Sequence, residues 1–125
     1  TDGRTPRPDQ PITHPRTFGA FPKKMRHFVF EEEILAPEFM IRSFSGLAAD
    51  FYRLPDRGYL RDGYVADIVV IDPDRYRDKA TFENPRQLSE GVVHALVNGQ
   101  FAIRDGETTG TLAGVPLRRP QAESY

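Results

Sequence analysis

Apolar and polar positions along this chain fall into three successive regimes. Residues 1–20 have no apolar period and hold Pro6, Pro8, Pro11 and Pro15, so neither a helix nor a central strand is expected there. From Phe21 the pattern becomes helical. Phe21, Met25, Phe28 and Val29 recur at i, i+4, i+7 and i+8, with Pro22 in the first turn and Lys23, Lys24 and Arg26 on the wet side. A second helix is expected from Pro37, with Met40, Ile41 and Phe44 inward. Gly46 interrupts it, and LAADFYRL adds a turn or two before Pro55.

From Arg57 the pattern turns to β. A short strand is expected around Tyr59–Leu60, a turn at Asp62-Gly63, and a strong strand from Asp67 to Ile71. The continuous run Ile68, Val69, Val70, Ile71 calls for cover on both faces, and Asp67 at its start needs a partner. Residues 74–90 read as an irregular polar loop. In GVVHALVNGQFAIRDGE, two apolar runs flank Asn98-Gly99, the pair suited to a two-residue type I′ turn. That turn sets Val97 opposite Gln100, Leu96 opposite Phe101 and His94 opposite Ile103. Asp105-Gly106 makes another turn, and the residues after Pro116 are expected to fray. Two helices, one doubly covered strand and a hairpin do not close a core among themselves. The chain is expected to be part of something larger.

Composition narrows the function classes. A net charge of -1, with basic residues dispersed among acids, gives no support to a nucleic-acid or anionic-membrane partner. No apolar run is long enough to cross a bilayer, and no charged-then-apolar leader is present. The absence of cysteine excludes a disulfide framework and a thiolate metal site within the chain, and fits a cytoplasmic origin. His14, His27 and His94 are scattered and never at helical ligand spacing, so a complete zinc site is not expected here. Glu31-Glu32-Glu33 reads as a solvated helix end.

Several stretches in order carry a resemblance: TDG at 1–3, HPRTFGAFP at 14–22, EEEILAPEFMIRSFSGLAADFYRL, DRGYLRDGYVADIVVIDPD at 56–74, ATFENPRQLSEGVVHALVNGQ at 80–100 and GTLAGVPLRR at 110–119. They resemble the C-terminal end of the amidohydrolase superfamily, and within it the N-acyl-D-amino-acid deacylases (D-aminoacylases). The RG-L--G--ADIVV-D element marks only the superfamily, whereas HPR-FG-FP after an Asp-Gly, with ATFE-P and V-NG, is narrower. The resemblance implies an α+β fragment. Residues 1–55 would be the strand-8 loop and terminal helices of a (β/α)8 metal-dependent hydrolase barrel, and residues 56–125 the C-terminal strands of its small β-sandwich or barrel domain.

It also implies roles for three residues. Asp2, on its own an ordinary solvated aspartate, would match the strand-end aspartate that serves as general base on a metal-bound water and sometimes touches the metal. The cofactor would be zinc, with the remaining ligands outside this chain. Arg16 would match the arginine that grips the substrate carboxylate through paired charge-assisted hydrogen bonds, where the residues alone show a loop arginine near Arg4 and Arg7. His14 either lines the pocket mouth or hydrogen-bonds the loop. The expected parent activity is hydrolysis of small N-acyl-D-amino acids to a carboxylate and a D-amino acid, with the isolated chain inactive. Two readings stand beside it. One is a non-catalytic module that pairs exposed strand edges or forms oligomers. The other is part of a dihydroorotase-like or hydantoinase-like cyclic amidase.

Overall fold

The computed structural model describes residues 7, 9–11 and 14–118. Asp2 and the tail beyond residue 118 lie outside them. The elements run α1 (Arg16–Met25), a π-helix (Arg26–Glu31), α2 (Pro37–Phe44), α3 (Gly46–Tyr52), β1 (Ile68–Ile71), β2 (Val92–Val97), β3 (Gln100–Arg104) and β4 (Glu107–Thr108). They form two compact units interleaved in sequence. One extends to Pro37 and adds Ile71–Val92; the other takes Glu38–Val70 and continues from Val93.

In the first unit the helix starts earlier than its apolar period indicates. Pro15 already has helical angles (φ -62°, ψ -22°), and α1 runs on from Arg16 inside the proline-bearing segment. The reason is that a proline ahead of the first turn loses no intrahelical bond. Pro22 therefore lies in the helix interior, not in its first turn. An interior proline offers no N–H to the carbonyl four residues back, here that of Phe18. The Ser89 hydroxyl takes that place, donating to the Phe18 carbonyl at 2.8 Å.

The buried face of α1 is Gly19, Pro22 and Met25, continued by Val29 in the π-helix, while Phe21 and Phe28 are 44% and 37% exposed. Packing rotated the face because Gly19 allows close approach; a Cβ there would lie 2.8 Å from Asp78 Cβ. Arg26 is not on the wet side. Its guanidinium donates to the carbonyls of Tyr76 (3.2 Å), Pro73 (2.7 Å) and Asp74 (3.0 Å). The irregular stretch after β1 is thus held by a side chain rather than by a ladder, with one isolated bridge between Arg77 and Glu90. An Arg77–Glu90 ion pair at 3.2 Å flanks that bridge, and burial raises the Tyr76 pKa.

Replacing Ser89 by Ala should cost about 1–2 kcal/mol, since it strands a partly buried carbonyl. In a Pro22→Ala background the new backbone N–H can serve Phe18, and the same replacement should cost under about 0.5 kcal/mol. Urea titration of the four chains of this cycle measures the coupling; additive losses would rule out the compensation.

In the second unit α2 ends at Phe44, Ser45 breaks the helix at φ -122° and ψ -78°, and α3 restarts at Gly46. Of the three side chains expected inward on α2, Met40 is buried and Ile41 is exposed. Arg53 closes α3 in the left-handed region, its N–H on the Asp50 carbonyl and that of Leu54 on the Ala49 carbonyl. Tyr59–Leu60 is not a strand. Gly58 (φ +82°) brings the chain against α3, where a Cβ would lie 2.6 Å from Ala49 Cβ, and the Tyr59 ring packs over Gly46. The Tyr59 hydroxyl donates to Asp50 at 2.6 Å, which raises the tyrosine's pKa. Helix packing overrode the local β preference of Tyr59–Leu60.

The sheet has the order β1-β2-β3-β4, with β2–β3 and β3–β4 antiparallel. Asn98 (φ +49°) and Gly99 (φ +78°) form the expected turn, and Asp105 (φ +53°) and Gly106 (φ +82°) repeat it between β3 and β4. Val97 faces Gln100 and Leu96 faces Phe101, but Ala95 rather than His94 faces Ile103, because the register slips between Ala95 and Leu96. A bulge of this kind places two residues of one strand opposite one of the other. Here it leaves His94 Nδ1 to accept the Asp105 N–H at 3.1 Å.

Among the described residues the buried apolar side chains are Met25, Val29, Met40, Ala49 and Ala80. Phe39, Phe51, Leu60, Val69, Phe82 and Leu88 are each more than 60% exposed. The cover expected on both faces of β1 is not supplied by the described residues, as Val69 and Val70 show.

Candidate functional site

His14 and Arg16 are brought together at the start of α1. The Arg16 N–H donates to His14 Nδ1 at 3.1 Å, so this histidine hydrogen-bonds the helix entrance. Its ring meets Phe82 edge-on, centroids 4.9 Å apart. The next amides turn inward as well: Thr17 N–H reaches the His14 carbonyl at 3.4 Å and Phe18 N–H the Pro15 carbonyl at 3.2 Å. What this corner presents outward is therefore the exposed Arg16 side chain rather than a row of backbone donors. No acidic residue lies in the first turn of α1. A cation at a helix N-terminus is opposed by the helix dipole, so the dipole gives α1 no stabilisation from the Arg16 charge.

The other two histidines serve local structure. His27 Nδ1 lies 4.0 Å from Glu31 one turn on, and His94, on β2, accepts the Asp105 N–H of the β3–β4 turn. Among the described residues no three His, Asp or Glu side chains converge to hold a metal ion. The described part of the chain does not fit a metal by itself, and Asp2, the expected base and ligand, lies outside it. No helix among the described residues is long and apolar enough to cross a membrane.

One polar centre was not foreseen as a unit. Asp67 has the partner that its position demands: Arg57 Nη1 pairs with one carboxylate oxygen, and the Asn98 N–H donates to the other at 2.8 Å. Arg57 Nη2 also donates to Asn98 Oδ1 at 2.7 Å, and Asn98 Nδ2 donates to the Ala113 carbonyl at 2.5 Å. Asn98 thus ties the β2–β3 turn to Arg57, to the start of β1 and to the C-terminal segment. The sequence signal was Asp67 itself, a charge entering an apolar strand; which arginine would answer it was not legible.

Residues 1–103 match the model of the Amidohydrolase family. The N-acyl-D-aspartate deacylase of Alcaligenes xylosoxydans xylosoxydans is 45% identical over 103 residues, covering 82% of this chain and 20% of that protein. A D-aminoacylase solved in a study of its binuclear metal centre superposes with a TM-score of 0.80 at 37% identity, over 85% of this chain and 22% of that one. N-acyl-D-glutamate deacylase from Bordetella bronchiseptica was solved with zinc and a phosphonate mimic of the tetrahedral intermediate. It superposes with a TM-score of 0.70 at 33% identity, over 76% of this chain and 21% of that one. The chain spans about a fifth of the length of these relatives. With the resemblance read from its motifs now met by sequence and by fold, the chain belongs to the amidohydrolase family, alongside N-acyl-D-amino-acid deacylases.

Proposed function

We propose that this chain is the C-terminal portion of a metal-dependent amidohydrolase that hydrolyses N-acyl-D-amino acids to a carboxylate and a D-amino acid. The observation that carries the reading is the D-aminoacylase likeness, a TM-score of 0.80 at 37% identity over 85% of the chain. On this reading residues 1–55 close a (β/α)8 barrel and residues 56–125 contribute to a small β domain. The uncovered apolar side chains of β1, α2 and α3 support it, since patches of that kind on a soluble protein mark surfaces that other polypeptide covers. The metal, zinc by likeness to the Bordetella enzyme, would be held mainly by residues outside this chain.

Asp2 accepts a proton from the attacking water and returns it to the departing amine. Arg16 holds the substrate carboxylate; with the adjacent amides already bonded, the contact falls to its guanidinium, whose fork matches a carboxylate. His14 sets the entrance of α1 and so the place from which Arg16 reaches.

The test is hydrolysis by the full-length, metal-loaded protein of N-acetyl-D-aspartate, N-acetyl-D-glutamate, a neutral N-acetyl-D-amino acid and their L-enantiomers. Release of amino acid from the D series alone is expected, and no turnover by the 125-residue chain. Failure on every N-acyl-D-amino acid would overturn the reading. In the same protein Arg16→Ala should raise KM about 10-fold or more with a smaller change in kcat, the mark of lost ground-state binding. A KM equal to wild type would remove Arg16 from the site.

A further inference from the structure

Asn98-Gly99 is a chemically reactive pair as well as a turn. In a flexible asparaginyl-glycine sequence the glycine amide nitrogen, once deprotonated by solvent base, attacks the asparagine Cγ. A C–N bond forms, ammonia departs, and a cyclic imide remains. Water then opens the imide at one or other carbonyl, giving aspartate or isoaspartate. The net change is addition of one water and loss of one ammonia, with no oxidant or other reagent.

Both reacting groups are tied down here. The nucleophile, the Gly99 N–H, donates to the Ala66 carbonyl at 2.9 Å. At the electrophile, Oδ1 accepts from Arg57 at 2.7 Å and Nδ2 donates to Ala113 at 2.5 Å, so the amide has little freedom to swing onto its own backbone. Nothing crowds Gly99 sterically, since a Cβ there would meet no atom within 4 Å. Restraint at this turn comes from hydrogen bonds and not from packing.

We infer that Asn98 is a latent deamidation site, held unreactive by the Arg57 clamp and released whenever the clamp opens. Opening is local, because the bonds link one turn to two irregular segments, and such regions open more readily than a packed core. Reaction would prevent the turn from closing again in its original form. Aspartate at position 98 has no side-chain N–H for the Ala113 carbonyl, and it adds a second carboxylate beside Asp67, whose Oδ1 already accepts the backbone N–H of residue 98. Isoaspartate inserts an extra methylene into the main chain between Val97 and Gln100, which face each other across a two-residue turn. The register of β2 against β3 is then lost.

The experiment is mass spectrometry of the Asn98 and Asn84 peptides from the full-length protein incubated in mildly alkaline buffer, with and without denaturing urea. Asn84 precedes Pro85 and has no following N–H to attack, so it is an internal control. Deamidation at Asn98 should be at least about tenfold slower in buffer than in urea, the suppression expected of a site reactive only in its open state. Arg57→Lys retains a cation for Asp67 but loses the fork that also holds Asn98 Oδ1, and should deamidate several-fold faster than wild type in buffer. Circular dichroism on the same samples establishes that the variant is folded. Equal rates in buffer and in urea would overturn the inference. So would a folded Arg57→Lys chain that deamidates no faster than wild type.

Discussion

Asp2→Asn in the full-length protein should lower kcat about 10²- to 10⁴-fold, the range that a positioned general base contributes. The substitution replaces one carboxylate oxygen by an amide nitrogen and changes almost nothing in size. An amide accepts no proton at neutral pH, so on the role proposed for Asp2 the activation of water loses its base while the substrate still fits. KM and thermal midpoint should therefore stay within about twofold and about 2 °C of wild type, as expected for a surface-sized change in polarity. Steady-state kinetics on N-acetyl-D-amino acids, with metal content measured for both proteins, separates this outcome from loss of metal. Near-wild-type kcat in a metal-replete variant would show that another group takes the proton.

The second large effect is expected from Gly91→Ala, which should destabilise the chain by about 3 kcal/mol or more. Two costs coincide at this position. Gly91 has φ +88°, a conformation that charges a side-chain-bearing residue about 1–2 kcal/mol. A Cβ there would also fall onto the backbone N and Cα of Tyr76 and within 2.6 Å of the Arg75 carbonyl carbon. Those atoms cannot give way cheaply. Tyr76 is held by the Arg26 guanidinium on its carbonyl and by its own N–H on Asp72, and Gly91 accepts the Asp72 N–H at 2.8 Å. Gly63→Ala is the control, since φ is +82° there but open space surrounds the position. It should lose only the conformational cost, about 1–2 kcal/mol. Urea midpoints of the two variants give the difference; equal losses would mean that the close approach at Gly91 contributes nothing.

Local sequence determined the features whose causes are local. Asn98-Gly99 and Asp105-Gly106 supply paired residues that accept positive φ, so both turns, and the pairing of Val97 with Gln100 and Leu96 with Phe101, follow from a few adjacent side chains. The interruption expected at Gly46, which falls one residue earlier at Ser45, the strand Ile68–Ile71 and the need of Asp67 for a partner are of the same kind. The family was legible for a related reason, because HPR-FG-FP, ATFE-P and V-NG are short contiguous strings.

Contacts between distant segments decided the rest. Pro22 stands inside α1 because Ser89, far along the chain, answers the carbonyl that the proline leaves bare. Tyr59 and Leu60 gave up a strand because Gly46 and Gly58 let the chain close on α3. His94 lost its expected partner to a one-residue slip, and Arg57 became the counter-charge of Asp67 through a turn that only the folded sheet brings near. A hydrogen-bond donor is indifferent to sequence separation and exacting about position. Local pattern can therefore announce that a group needs a partner, while three-dimensional packing selects which one it receives.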